Sequence, residues 1–445
     1  MGHTDHKDKN AGINRRELLG RGSALAFGVL LGGSSALHAE EITLEADPQQ
    51  APVAGVKAAE KEAPKPPVNV AVIGLGDQGR AILTSLSYVN GAVVKTVCDH
   101  YEGAHKRALA IHPKAQAVAD YKQVLADPDV KAVWVATPSH QHKQIVLDAL
   151  AAGKHVYCEA PLASSVEDAK AIAQAAKAAA PKVIFHSGLQ FRTNPQHHHV
   201  RRFIRTGALD KIAQGKAQWH KKTSWRRAAP TDERQAELNW RLRKETSGGL
   251  IGEIGIHQID VSSWYLDKTP KAVSGFGGIV AWRDGRQVPD TVQCVVEYDD
   301  GVHLVYDATL ANSFGDAYEL FQGTAAAVLL RETRAWMFKE ADAPALGWEV
   351  YAYKETIGDD TGIALVADAT KLLAEGKEPS KNRDVDPKRT PLYYACDTFL
   401  DAVRAGKPTE CGPEEGYRAT VIALKANEAV LSGTKIDITP EMLTI

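Results

Sequence analysis

The sequence predicts an α/β protein of two domains, a doubly wound parallel sheet followed by an α/β domain rich in antiparallel strands, and three observations carry that expectation. First, the apolar run Val68–Ile73 leads directly into Gly74-Leu75-Gly76-Asp77-Gln78-Gly79 and a helical stretch from Arg80. Second, short apolar strands at Ala92–Cys98, 132–136, 155–159 and 183–187, with a shorter candidate at 115–119, alternate with helical segments. Such alternation belongs to a parallel sheet covered on both faces. Third, beyond residue 190 the pattern becomes that of half-buried strands, at 272–282, 291–298 and 302–310, the last two joined by the hairpin signal Asp299-Asp300-Gly301. Two amphipathic helices, 392–404 and 414–431, close this second domain.

The glycine loop has a mechanical reading. The first glycine permits the tight turn, the second lets a pyrophosphate approach the backbone, and the third lets the helix pack closely on the strand. The helix N-terminus then presents free N–H groups to phosphate. Asp99, at the end of the second strand, suits the adenosine ribose hydroxyls and would repel a 2′-phosphate, so NAD is favoured over NADP, although His100 and Arg80 lie where they could serve a phosphate.

A chain of 445 residues is about three times the ~150 residues of a typical domain. With 44% hydrophobic and 24% charged residues it has an ordinary globular composition. Lys plus Arg number 53 and Asp plus Glu 55, a net charge of −2 with no basic excess to hold nucleic acid. The 5 cysteines are scattered without C-x-x-C spacing, so neither a disulfide framework nor a zinc site is indicated. His197-His198-His199 cannot all face one ion from a helix, and no metal is expected.

The N-terminus differs in kind. Asn14-Arg15-Arg16-Glu17-Leu18-Leu19, a weakly apolar Gly-rich stretch from Ser23 to Leu37, and His38-Ala39 resemble a twin-arginine signal, with cleavage after Ala39. The expectation is a soluble, exported, periplasmic protein handled by the twin-arginine machinery. Residues 40–67, with five prolines and no aromatic residue, read as an extended linker.

Further motifs follow the strands: Thr137-Pro138-Ser139-His140-Gln141-His142, Cys158-Glu159-Ala160-Pro161-Leu162, Gly188-Leu189-Gln190-Phe191-Arg192, and Gly248-Gly249-Leu250-Ile251-Gly252-Glu253-Ile254-Gly255-Ile256-His257-Gln258-Ile259-Asp260. In this order they resemble the glucose-fructose oxidoreductase / inositol dehydrogenase / MocA family over residues 68–440. The resemblance implies a Rossmann domain at 68–188 and, at 189–445, an α/β domain whose large, open, mostly antiparallel sheet mediates homo-oligomer contacts. It implies a sugar-like or cyclitol-like substrate between the domains. Cofactor contacts are implied at Gly74, Gly76, Asp77, Gln78, Gly79, Asp99, His100, Thr137, Pro138, His140, His142, Glu159, Ala160, Pro161 and Gln190.

Glu253, His257 and Asp260 fall at i, i+4 and i+7, one face of a helix. The resemblance assigns proton transfer to His257, with Glu253 orienting the imidazole and Asp260 structural. Arg192, Trp240, Arg241 and Lys221 are candidates for binding substrate, and the run 219–227 is expected to continue as a strand offering tryptophan and cationic groups. One departure stands out: family members carry Glu-Lys-Pro where this chain has Glu159-Ala160-Pro161, so a catalytic cation is missing. Arg192, His140, His142, Lys221, Lys222 and Tyr157 are the candidate substitutes.

The expected function is therefore NAD(P)-dependent oxidation of a sugar, sugar derivative or cyclitol hydroxyl, with a tightly bound cofactor, because an exported enzyme has no free nicotinamide pool. A redox-neutral NAD-dependent glycosidase is the alternative, and a catalytically silent nucleotide or sugar sensor the third reading.

Overall fold

The computed structural model describes residues 63–331, 334–345, 349, 352–366 and 388–445. The expected signal at 1–39 and the linker up to residue 62 lie outside the described residues. The linker's last residues are pinned rather than free: Lys65 Nζ bonds Asp397 and Asp401, Asn90 Nδ2 donates to the Ala63 carbonyl, and Arg404 Nε donates to the Pro66 carbonyl.

Six parallel strands, β1 Val68–Ile73, β2 Ala92–Cys98, β3 Gln116–Val118, β4 Ala132–Val135, β5 His155–Cys158 and β6 Phe185–Ser187, form a sheet in the order 3-2-1-4-5-6. Every residue of β4 is buried, as expected of a strand covered on both faces. The helices between strands are α1 Asp77–Leu86, α2 Glu102–Ile111, α3 Tyr121–Ala126, α4 His142–Ala151 and α5 Val166–Ala179. Side chains cap several of them: Asp120 accepts from Lys122 N, and Ser165 accepts from Asp168 N. The strand order reverses between β1 and β4, which opens the crevice where ligands bind in such sheets.

After α6, Pro195–Phe203, the chain enters a ten-stranded sheet whose outer strands are β12 Ala326–Arg331, β13 Arg334–Lys339, β14 Lys354–Ile357, β15 Asp360–Leu365 and β16 Ile436–Asp437, in the order β14-β15-β13-β12-β11-β7-β10-β9-β8-β16. Its central strands are β7 Ile212–His220, β8 Pro270–Gly278, β9 Thr291–Tyr298, β10 His303–Thr309 and β11 Ala317–Gly323. The expected hairpin is β9–β10, its turn held by Tyr298 N donating to Val302 O, with Gly301 at φ 81°. All pairings in this sheet are antiparallel except β7 with β10, so these two strands deliver their C-terminal ends to one edge. α8, Ile256–Leu266, packs against the sheet's inner face.

Three expectations are corrected. The strand expected at 272–282 ends at Gly278, because the N–H groups of Val280, Ala281 and Trp282 turn to the buried Asp290 carboxylate. The run 219–227 leaves the sheet after His220, and Trp225 takes a positive φ of 60°. The helix expected to close the second domain, now α9 at Pro391–Ala405, packs instead in the core of the first. Its Phe399 ring lies 5.0 Å edge-on to Trp134 and 5.9 Å from Tyr157. Thr390 caps this helix by accepting from Tyr393 N, and Gly406, at φ 62°, ends it. The last long helix, α10 at Pro413–Ser432, runs between α5 and β8 and so joins the two halves.

Candidate active site

A cavity of about 1550 Å³ runs from the β1 glycine loop to the inner face of the ten-stranded sheet. At its first end Gly74 has φ 93°, and a Cβ there would sit 2.6 Å from the Ala136 carbonyl carbon after β4. A Cβ at Gly76 would meet nothing, so the backbone is open to a ligand there. A Cβ at Gly79 would lie 1.9 Å from the Gly74 carbonyl, which is why the helix can pack against the turn only with glycine. The α1 N-terminus carries no side-chain cap, leaving its first N–H groups for an anion. Asp99 accepts from Leu75 N and Tyr101 N at 2.9 Å, fixing the loop. Gln78 Nε2 donates to Glu159 Oε1 at 2.9 Å. Burial pushes the Glu159 carboxyl up to about 7 against the Gln78 and Ala160 N–H groups. These features fit the pyrophosphate and ribose of a dinucleotide.

A cover from the second half reaches over this end. Arg227 pairs with Asp77, His100 Nε2 lies 3.1 Å from Glu237 Oε2, and the Arg234 guanidinium stacks 4.0 Å over Tyr101. Glu237 and Arg234 belong to α7, Asp232–Leu238, and nothing in the sequence marked them.

At the other end, Glu253 sits in a π-helical turn, Ile251–Gly255, that precedes α8. Its Oε1 accepts from Ser139 Oγ and from Gly248 N, each at 3.1 Å. Burial raises the Glu253 carboxyl above its ordinary range, while Arg241, Gly248 N–H and the hydroxyls of Ser139 and Ser247 oppose the rise. One turn on, burial pushes His257 down to about 4, with Asp260 opposing, so the imidazole is neutral at physiological pH. Its Nδ1 has no hydrogen-bond partner among the described residues, and Phe191 packs edge-on at 5.9 Å. Glu253, His257, Gln258 and Ile254 line the cavity together with Thr137, Pro138, His140, Glu159, Ala160 and Gln190.

Other expectations meet different fates. Asp260 turns away from the cavity and takes both Nε and Nη2 of Arg192, at 2.7 and 2.8 Å. Arg192 is thereby committed and does not line the cavity, which corrects its placement with the substrate. Pro161 likewise lies behind the wall, following the cis Ala160–Pro161 bond, and Gly79 acts by packing rather than contact. Trp240, Arg241 and Lys221 do line the cavity. Among the candidate substitute cations, His142 Nε2 lies 2.8 Å from the Thr137 carbonyl and Nδ1 3.2 Å from the Leu162 carbonyl, and burial pushes the ring down to about 4, so its single N–H donates to one of them. Tyr157 is buried on the other sheet face, stacked 5.0 Å from His186, and Lys222 is exposed outside the cavity. His140 lines the cavity, but burial lowers it too. The three histidines diverge: His197 Nδ1 bonds Tyr265 and His198 Nε2 bonds the Arg192 carbonyl.

The Ser139–Glu253 bond and the buried Glu319, pushed up to about 7 by burial beside Gln258, were not anticipated. Ser139 and Glu253 are 114 residues apart, and no local pattern announces their meeting.

Comparison with known proteins places this architecture. Residues 68–186 match the oxidoreductase family model with an NAD-binding Rossmann fold, and residues 197–328 match the GFO/IDH/MocA C-terminal domain. An oxidoreductase of Streptococcus pneumoniae is 24% identical over 331 residues, 74% of this chain and 84% of its own. Levoglucosan dehydrogenase of Pseudarthrobacter phenanthrenivorans is 32% identical over 152 residues, 34% of this chain and 36% of its own. The 2,7-anhydro-N-acetylneuraminate hydratase of Escherichia coli is 26% identical over 262 residues, 58% of this chain and 66% of its own. Among solved structures, levoglucosan dehydrogenase in complex with NADH and L-sorbose superposes with a TM-score of 0.68 at 20% identity, covering 84% of this chain and 100% of that one. The glycine loop at the strand-order reversal, the Glu253–His257 wall facing it and both family models agree: the chain belongs to the Gfo/Idh/MocA family of NAD-binding oxidoreductases.

Proposed function

We propose that this chain oxidises a hydroxyl of a sugar, sugar derivative or cyclitol, using a nicotinamide dinucleotide that it retains. One observation carries the reading: the buried Glu253 and the neutral His257 stand one turn apart on the wall of the cavity that the glycine loop opens. The backbone at Gly74 to Gly79, Asp99 and the α1 N-terminus would hold the dinucleotide, which when bound supplies the hydride acceptor. Asp99 favours NAD, and Arg80 is spent on Asp77 and the Leu75 carbonyl instead of being available to a 2′-phosphate. His257, held neutral, takes the hydroxyl proton, and an ionised Glu253 stabilises the imidazolium that results. Levoglucosan dehydrogenase and the inositol dehydrogenase of Bacillus subtilis among the relatives support a polyhydroxylated substrate.

A redox-neutral route is the second reading. Two buried carboxyls with raised proton affinity, Glu159 and Glu253, suit elimination and water addition, and the anhydro-sugar hydratase among the relatives accords with it. A silent sensor is the third, favoured by Ala160. Purified protein, incubated without added cofactor with free sugars and with aryl glycosides, separates them. Reduction of the bound dinucleotide by a free sugar supports oxidation. Aglycone release without net reduction supports the redox-neutral route, and bound cofactor with neither activity supports the sensor.

The N-terminal arginine pair would send the folded protein to the periplasm by the twin-arginine route, and Arg15→Lys with Arg16→Lys should retain the precursor in the cytoplasm. Exposed Phe276 and Val305 on the outer face of the ten-stranded sheet support a homo-oligomer built there, which sedimentation of a Val305→Glu variant would test.

A further inference from the structure

Removing a proton from a hydroxyl that is losing hydride leaves negative charge developing on its oxygen, and a preorganised cation there lowers the barrier. The cavity's cations can be sorted by what already holds them. Arg80 and Arg227 are spent on Asp77, and Arg234 on Glu237 and Tyr101, all at the dinucleotide end. His140 and His257 are held neutral by burial, and residue 160 is an alanine. Lys221 and Arg243 are exposed at the rim and, among the described residues, make no hydrogen bond or ion pair with the acid–histidine wall.

Arg241 is also exposed, at 44%, but differs from these in what its guanidinium meets. Its guanidinium stacks 4.4 Å over the Trp240 ring and 5.9 Å from Trp225. Its Nε lies 3.6 Å from Glu253 Oε2, longer than a hydrogen bond, so the pair is a through-space contact that leaves the guanidinium donors uncommitted. Trp240, itself buried, holds the arginine from below, and the His140 ring braces Trp240 at 6.0 Å. Glu253 is fixed by Ser139 from the other half and by Gly248 N of its own segment, so the arginine faces a rigid acid. Arg241 also acts on Glu159, the residue before Ala160, and so lies within electrostatic reach of both buried carboxyls.

We propose that Arg241 is a catalytic residue: stacked on Trp240 and facing Glu253, it is the cation that meets the substrate oxygen as His257 removes its proton. The step balances without a further reactant: the O–H proton goes to His257, the C–H hydride goes to the dinucleotide named above, and the new C=O oxygen is held by the guanidinium. The same charge keeps Glu253 ionised, so that it can support the imidazolium. The groups facing Glu253 are Arg241, Ser139, Ser247 and Gly248 N–H, with His257 one turn further along, and Arg241 is the cation among them. The proposal rests on the oxidoreductase reading for its substrate, and its test has an arm that does not.

With the native holoenzyme and the best sugar of the panel, Arg241→Gln should lower kcat by about 10²–10³-fold, the scale for losing one preorganised charge donor, while bound cofactor and thermal midpoint stay native. Arg241→Lys should recover at least about tenfold of that loss, since charge and not shape is required. The acid limb of kcat/KM should move to higher pH in Arg241→Gln, because Glu253 then protonates more readily. Turnover of Arg241→Gln within threefold of native, or Arg241→Lys as slow as Arg241→Gln with an unmoved limb, overturns the proposal. The second arm uses infrared difference spectra of the holoprotein, with the carboxylic C=O band assigned by its loss in Glu253→Gln. In Arg241→Gln that band should persist to a pH about one unit higher than in the native protein. An unshifted band overturns the Arg241–Glu253 coupling. Should no sugar reduce the native protein's cofactor while the band still shifts, the functional reading fails and the coupling stands.

Discussion

The two ends of the cavity are built on opposite plans. At the dinucleotide end the side chains have closed most of their own hydrogen bonds and leave the α1 backbone N–H groups for the ligand: Asp99 holds Leu75 and Tyr101, Gln78 holds Glu159, and Arg227 and Arg80 hold Asp77. At the reaction end, His257 Nδ1 and His140 Nδ1 are buried without hydrogen-bond partners among the described residues, and Glu253 carries a raised proton affinity. The first end recognises its ligand by backbone shape, which can be completed in advance. The second keeps polar capacity in reserve, and interactions realised only during reaction are the ones that accelerate it.

Variants can break this contrast. The largest effect should come from His257→Ala, which removes the proposed base: turnover should fall by about 10²–10⁴-fold while the bound dinucleotide remains stoichiometric. Near-native turnover would remove His257 from the mechanism. Gly79→Ala should do the reverse, since its Cβ collides with the Gly74 carbonyl. A loss of about 1–3 kcal/mol in stability together with cofactor release is expected, measured by thermal unfolding and dinucleotide extraction. Asp99→Asn should weaken cofactor binding about tenfold, because a carboxylate accepting two N–H groups becomes a group with one acceptor. An unchanged affinity would show that the loop is held by its glycines alone.

The pH dependence sharpens the same contrast. His257 is neutral down to about 4, so kcat/KM should be flat on its account at neutral pH and fall as pH is lowered towards 4. For stability the sign follows from proton binding: an unfolded histidine protonates near 6.5 and the folded one near 4, so between these values the unfolded state binds more protons. His257 and His142 therefore make the fold less stable as pH falls through that window. Glu159 acts oppositely, because the folded state binds the extra proton between about 4.5 and 7 and its contribution is lost as pH rises through 7. Denaturant midpoints of His142→Gln and Glu159→Gln across pH 4 to 7 should change slope in opposite directions. The smallest effect is expected from Arg227→Ala, an exposed pair with Asp77, at under about 1 kcal/mol.

How much of this was legible follows from the range of each contact. The glycine loop, Asp99 and the hairpin at Gly301 are written within short windows, and their structural roles follow from strand and turn rules. Glu253 and His257 were singled out by the order of motifs, with helical spacing placing them on one wall. Asp260 shows the limit of the spacing argument: on the same helix as His257, it is turned from the cavity by a bidentate pairing with Arg192, in keeping with a structural role. Arg192 illustrates the general difficulty: a cation beside a motif looks available until its partner, 68 residues on, is known. Arg241 was named as a substrate group but not among the substitutes for the missing cation, since its approach to Glu253 depends on how Trp240 stacks beneath it.

The packing of Pro391–Ala405 into the first half has a consequence for how the chain matures. Trp134 and Tyr157 meet Phe399 more than 240 residues later, so the six-stranded sheet cannot complete its core until the chain beyond Phe399 has left the ribosome. A fragment ending at residue 188 would expose that aromatic face and would aggregate instead of behaving as a nucleotide-binding module. The two halves then gain their final stability together, and a chain damaged within Pro391–Ala405 is left with an open core in the very domain that holds the cofactor.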